Sequence, residues 1–217
     1  MSNRIMDVSV QLIPGMPTWP GDGTVAAEPA SRIANGGHSN VTNLRHTSHT
    51  GTHLDAPWHF IDSGKKLDTI LLDRLIGQCL VCDFSALDRN IDAADLDAAD
   101  IPDGTTRLLL RTKNSSLWEE PRHAFNTEFI GVNPSGAQWL VDHGVDLVGI
   151  DYLSIEPFDG DDQTHLILLS AELVIVEGLD LRQVDPGTYR LICLPLRLGE
   201  MDGAPCRVVL ERESAIK

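Results

Sequence analysis

The sequence predicts an α/β fold in which strand outweighs helix. Three features carry that expectation. Short runs rich in β-branched residues recur along the chain and are closed by Gly, Pro, Asp or Asn. Several of them, such as RLLLR at 107–111 and LVIVEGL at 173–179, are apolar without alternation, the pattern of strands covered on both faces. Segments with helical caps and spacing are few.

In chain order the expected strands are MDVSVQL (6–12), VTNLRHTS (41–48), QCLVCDF (78–84), TRLLLRT (106–112), DLVGID (146–151), ELVIVEGL (172–179), YRLICLPLRL (189–198) and CRVVLERE (206–213). The clearest helix lies in NPSGAQWLVDHG, 133–144. Asn133 suits the N-cap, Pro134 the first turn and Gly144 the stop. A second covers 93–99, in an acidic stretch that reads as a solvated helix and turn, and a third begins near Thr164. No repeat or Pro/Ser-rich linker divides the chain, and its 217 residues are read as one domain, 1–217.

Composition narrows the function. A net charge of −15 repels a phosphate backbone, which argues against a nucleic-acid partner. No apolar run reaches the roughly 20 residues of a membrane span. The opening MSNRIMDVSVQL lacks the apolar core and cleavage site of a secretory signal, so a cytoplasmic location is expected. Cys79 and Cys82 form a C-x-x-C, but they lie in an apolar strand where residues three apart face opposite ways. They read as buried structural thiols, not a redox or zinc pair.

The informative stretch is HTGTHLDAPWH, 49–59. It holds three of the eight histidines and an aspartate. Gly51, the threonines and Pro57 oppose a helix. In an extended chain His49, His53, Asp55 and His59 share one parity, so alternation points imidazole and carboxylate to one face, with Gly51 leaving room between them. Imidazole nitrogen and carboxylate oxygen suit zinc-like metals, and a site with positions left open for water or substrate is catalytic in character. His38, His46, His123 and His143 lack such companions and read as structural or solvated; His46 is near enough in sequence to watch. Further ligands are sought at His165, which precedes an apolar segment, and at Glu177. That carboxylate is either buried in a strand, and then paired or metal-bound, or solvated at the strand's end.

On these residues the chain resembles the metal-dependent cyclase/hydrolase family that includes the bacterial kynurenine formamidases. The family motif H-x-G-T-H-x-D-x-P-x-H is matched at every fixed position. DVSVQLIPGMPTWPGD, HFIDSGKKLD and the segment from THLILLSAELVIVEGLDL to CRVVL are also similar. The resemblance implies a β/β/α swivelling domain with a barrel-like mixed sheet. It implies one metal on His49, His53 and Asp55, with Asp55 bridging to a second on His165 and Glu177. His59 becomes the general acid/base, and Trp19 lines the substrate pocket, with Trp58 or Phe60 as further stacking aromatics. The implied metal is zinc, two ions per subunit, or manganese as in relatives such as isatin hydrolase. A homodimer or homotetramer is implied as well.

The implied reaction is metal-dependent hydrolysis of an aromatic amide, N-formyl-L-kynurenine to L-kynurenine and formate, as in tryptophan breakdown. One segment departs from the formamidases. DYLSIEPFDGDDQTHLILL is acidic and lacks their Ser-Lys stretch, which leaves the substrate open between the formamide and isatin or another cyclic amide, imide or lactone. Asp151 and Ser154, at a strand end nearby, are candidate supporting groups. Two other classes remain: a non-haem iron oxygenase, since His53-Leu54-Asp55 gives the H-x-D of a facial triad, and a metal-binding module without catalysis.

Overall fold

The computed structural model describes residues 5–212. The elements are β1 (Ile5–Asp7), β2 (Ala26–Ser31), β3 (Val41–Arg45), β4 (His53–Asp55), α1 (Leu72–Leu75), β5 (Ile76–Asp83), α2 (Ala93–Ala98), β6 (Arg107–Arg111), α3 (Pro134–Asp142), β7 (Leu147–Ile150), α4 (Gln163–Ser170), β8 (Val174–Glu177), β9 (Gly187–Pro195) and β10 (Gly203–Glu211). Seven strands close on themselves in the order β10-β4-β8-β7-β6-β5-β9, with β9 returning to β10. β5 to β8 run parallel to their neighbours in the order β5-β6-β7-β8, and the other joints are antiparallel. The expected mixed α/β fold with a barrel-like sheet is what forms.

The apolar runs explain the layering. Leu54, Val81, Leu109, Val176, Leu191 and Val208 fill the barrel. The alternate residues Cys82, Leu108, Leu110, Ile150 and Ile175 face outward, where Leu96, Ala137, Leu140 and Leu168 of α2, α3 and α4 cover them. Strands sandwiched in this way need no polar face. Cys79 falls in the inner layer and Cys82 in the outer, as strand alternation requires.

The three expected helices form as α2, α3 and α4, and α4 starts after Asp162 without a side-chain cap. Asn133 accepts the Gly136 N–H, Pro134 opens α3, and Asp92 and Asp95 form a reciprocal capping box on α2. Some expected strands are shorter. The 6–12 run is regular strand only through Asp7: Ser9 then makes a single bridge to Leu179, and the Val10 N–H goes to the Thr52 hydroxyl (2.9 Å). β9 stops at Pro195, before Leu198. Glu213, the end of the last expected strand, lies outside the described residues. The β2 ribbon was not expected, since AAEPAS carries weak strand formers; it is bulged between Pro29 and Ser31. Among the described residues no helix is long and apolar enough to cross a membrane.

Candidate metal centre

The floor of the site is a strand pair. β4 and β8 are antiparallel, with His53 opposite Glu177. Leu54 and Val176 point into the barrel, so His53, Asp55 and Glu177 emerge on the outer face. The alternation expected over 49–59 therefore holds only for His53 and Asp55. His49 arrives from the turn ahead of β4, and His59 from a 3₁₀ turn, Pro57–His59, behind it. Folding back, and not extension, gathers the four. Gly51 opens no space between them: a Cβ there would meet Leu12 Cδ2 at 2.7 Å, and its φ of +68° is what the turn requires.

His165, in the first turn of α4, completes the group from above the sheet. Three imidazoles point one nitrogen each at the two central carboxylates. His49 Nδ1 lies 2.8 Å from Asp55 Oδ1. His53 Nε2 lies 3.4 Å from Asp55 Oδ1 and 3.3 Å from Glu177 Oε2. His165 Nε2 lies 3.4 Å from Glu177 Oε1, which also accepts the Ile155 N–H at 2.7 Å. Glu177 is buried, and not solvated at a strand end. His59 stacks on His49 with ring centroids 3.7 Å apart. Ligand-type atoms of His53, Asp55 and Glu177 fall within 4.8 Å of one another, as do those of His49, Asp55 and His59.

The electrostatics show how this fold balances two buried carboxylates. Burial works against charge on His53, yet hydrogen bonds with Asp55 and Glu177 push it up to about 10. Burial is likewise overcome at His165 by Glu156 and Glu177, which push it to about 10, and at His49 by Asp55 and Asp202, which push it to about 9. His59 goes the other way: burial lowers it, and the neighbouring His49 charge adds to that against the pull of Asp55. Asp55 Oδ2 remains buried without a hydrogen-bond partner. A buried carboxylate oxygen left unpaired is costly. Imidazoles and carboxylates converging around it are a donor set that fits a divalent cation of the zinc type.

A cavity of about 480 Å³ opens above the centre. Trp19 lines it, packed edge-on against Phe125 with centroids 5.3 Å apart, and Phe158 stands beside it at 5.6 Å. Phe60 also lines it, stacked on His165 at 4.2 Å. Trp58 does not: Lys66 Nζ sits over its ring at 4.7 Å, away from the cavity lining. Ser154 faces the cavity and its Oγ accepts the Glu156 N–H. Asp151 does not reach the centre. Its carboxylate accepts from Thr112 N, Thr112 Oγ1 and Ser115 N, and its carbonyl holds Trp118 Nε1, so it supports the aromatic wall. His143 stacks on Trp139, His123 Nδ1 donates to Glu120 O while its Nε2 lies 3.4 Å from the Tyr152 hydroxyl, and His46 Nδ1 donates to Thr47 O; none joins the centre.

Two site residues were not anticipated. Asp202 holds His49 Nε2 at 2.9 Å, and Glu156 holds His165 Nδ1 at 2.9 Å. The acidic 156–164 segment was the visible sign of Glu156. Nothing local to GEMDGAP marks Asp202, which is brought in by the β10–β4 pairing.

Comparison with known proteins places this architecture. The family model described as "Putative cyclase" matches residues 6–157. "Cyclase-like protein 3" of Oryza sativa subsp. japonica is 41% identical over 216 residues, covering 95% of this chain and 79% of its own. The kynurenine formamidase of Erythrobacter litoralis (strain HTCC2594) is 35% identical over 208 residues, covering 95% and 93%. A solved structure described as a potential metal-dependent hydrolase with cyclase activity superposes with a TM-score of 0.82 at 36% identity, over 97% of this chain and 98% of that one. An isatin hydrolase bound to thioisatinate shares the fold, with a TM-score of 0.83 at 20% identity over 97% and 92%.

Proposed function

This chain belongs to the cyclase family, and from that membership we propose that it is a metal-dependent hydrolase of carbon–nitrogen bonds, an arylformamidase that converts N-formyl-L-kynurenine to L-kynurenine and formate. The observation that carries the proposal is the convergence of His49 Nδ1, His53 Nε2 and His165 Nε2 on Asp55 and Glu177, with Asp55 Oδ2 left unpartnered, beneath an aromatic-walled cavity. In this reading His49, His53 and Asp55 hold one ion, and Asp55, His165 and Glu177 a second. The ions are zinc, with manganese as the alternative. The chain acts as one domain over 1–217, as a homodimer or homotetramer in the cytoplasm. A divalent ion so held supplies Lewis acidity, which activates water and polarises a carbonyl near neutral pH.

The chain's own groups do the rest. Asp55 is buried on the sheet face and cannot shift without breaking the β4 pairing, so the charge it fixes is fixed in place. His59 stands at the cavity, where burial favours its neutral ring, so a ring nitrogen can take a proton from the attacking water and pass it to the departing aniline nitrogen. Trp19, Phe158 and Phe60 supply apolar surface that seats an aromatic ring and excludes water.

One observation favours a second reading. The described cavity lining includes Asp22, Glu156, Asp162, Glu177 and Asp202 but no lysine or arginine. The substrate carboxylate of N-formyl-L-kynurenine finds no lysine or arginine there, whereas a neutral cyclic amide such as isatin needs none. An oxygenase triad uses two histidines and one carboxylate, and this centre holds more. The test is hydrolysis by chelator-stripped protein restored with zinc and, separately, with manganese. Metal-dependent kynurenine release well above isatin opening supports the formamidase. Isatin opening without kynurenine release moves the reading to cyclic amides. Inactivity on both refutes both substrates.

A further inference from the structure

We infer that Asp202 and Glu156 are positioning residues that decide which nitrogen His49 and His165 present to the cation, each governing one half of the centre. The inference rests on the metal-site reading above and extends it to two carboxylates outside the histidine motif.

A neutral imidazole has one N–H and one lone pair, and the partner of one nitrogen decides the role of the other. His53 shows the rule with no second side chain. Its Nδ1 lies 2.9 Å from the Gly51 carbonyl, which can only accept, so Nδ1 carries the hydrogen and Nε2 faces Asp55 and Glu177. His165 is held the same way by a side chain. Glu156 Oε2 accepts from its Nδ1 at 2.9 Å and from its backbone N–H at 3.2 Å, leaving Nε2 toward Glu177. His49 is reversed. Asp202 Oδ2 takes Nε2, at 2.9 Å, and Nδ1 is the atom turned toward Asp55.

Both carboxylates are themselves anchored. Ser48 Oγ donates to Asp202 at 3.1 Å, and the Asp202 carbonyl accepts the Ala56 N–H at 2.8 Å. Asp202 is thus tied to the chain on both sides of β4. Glu156 is buried, with its own N–H on Ser154 Oγ at 3.1 Å. Carboxylates on the remote nitrogen of a ligand histidine fix its ring and raise its basicity, and losing one costs roughly 10–100-fold in metal affinity or activity. His53, held by backbone, needs neither group and serves as the internal control.

The experiment is zinc titration of the stripped full-length chain against a chromophoric chelator, with Asp202→Ala and Glu156→Ala beside the unsubstituted protein. Each alanine variant is expected to weaken one of the two binding steps roughly 10–100-fold and spare the other, with the two variants hitting different steps. Asp202→Asn and Glu156→Gln, which keep a neutral acceptor and the packing, are expected to recover part of the loss. Nitrogen-15 spectra of labelled histidines should show His49 as the Nε2–H form in the zinc protein and lose that form in Asp202→Ala. Unchanged binding steps with a raised KM would make these groups cavity contacts and overturn the inference, leaving the metal reading intact. Equal weakening of both steps by either variant, with a lowered Tm, would show a general structural role and overturn it too. Failure of the unsubstituted protein to bind zinc refutes the metal reading and this inference with it.

Discussion

His53 and Glu177 face each other across two neighbouring antiparallel strands, with Nε2 and Oε2 3.3 Å apart. The centre is therefore written into strand register. A slip of one residue would turn His53 and Asp55 into the barrel and bring Leu54 to the outer face. Two short strands, each buried over its whole length, are what keep the two carboxylates near one another.

His59→Ala is expected to keep zinc and lose turnover, by roughly 10²–10⁴-fold in kcat, the range for removing a positioned acid/base group. Zinc content and steady-state kinetics on one preparation decide it. Loss of zinc would make His59 a ligand, a role that its closeness to His49 and Asp55 would serve.

Much of this was legible in the sequence, for identifiable reasons. RLLLR and LVIVEGL declared strands covered on both faces because apolar residues without alternation suit nothing else of that length. His53 and Asp55 could be placed on one face because they lie in the same strand. His49 and His59 reach the same place by turns, which period-two reasoning does not describe. Asp202 was invisible because its partner is set by long-range pairing, 153 residues from His49, whereas Glu156, nine residues from His165, showed only as part of an acidic segment with no assigned role. The β2 ribbon was missed because Ala, Glu and Pro give no strand signal.

Zinc uptake should release protons. Without metal, His49, His53 and His165 titrate near 9 to 10, above their ordinary 6.5, so all three carry protons at pH 7.5. The sign follows for stability: their contribution to the metal-free fold is complete below pH 6.5 and is lost as pH rises through 9 to 10. Filling both halves of the centre at pH 7.5 is expected to release about three protons. Calorimetry in two buffers of different ionisation enthalpy measures this, and a buffer-independent heat would contradict it.

Gly203→Ala tests the space behind His49. Gly203 pairs with Asp55, and a Cβ there would stand 2.6 Å from Leu54 O and 2.7 Å from His49 Cε1. The Leu54 oxygen is backbone, so the β10–β4 pairing must shift there and the His49 ring with it. A stability loss of about 1–3 kcal/mol in urea is expected, as for other overpacked sites. A weakened zinc step should accompany it. Unchanged stability and zinc binding would contradict this reading of the space behind His49.

The C-x-x-C should be chemically silent. Burial pushes Cys79 up to about 12 and Cys82 up to about 11. At pH 8 their thiolates amount to roughly one part in a thousand or less. Alkylation of the native protein followed by peptide mapping should leave both free, and both should react in denaturant. Rapid native labelling of Cys82 would contradict the buried assignment.

The central claim is that Asp55 is the shared anchor of a metal centre. Anomalous diffraction at the zinc edge, from crystals of zinc-loaded protein, tests it most directly. The account predicts peaks in contact with Asp55, one reached by His49 and His53 and one by His165 and Glu177. Zinc-loaded crystals with no anomalous peak at Asp55 would contradict it.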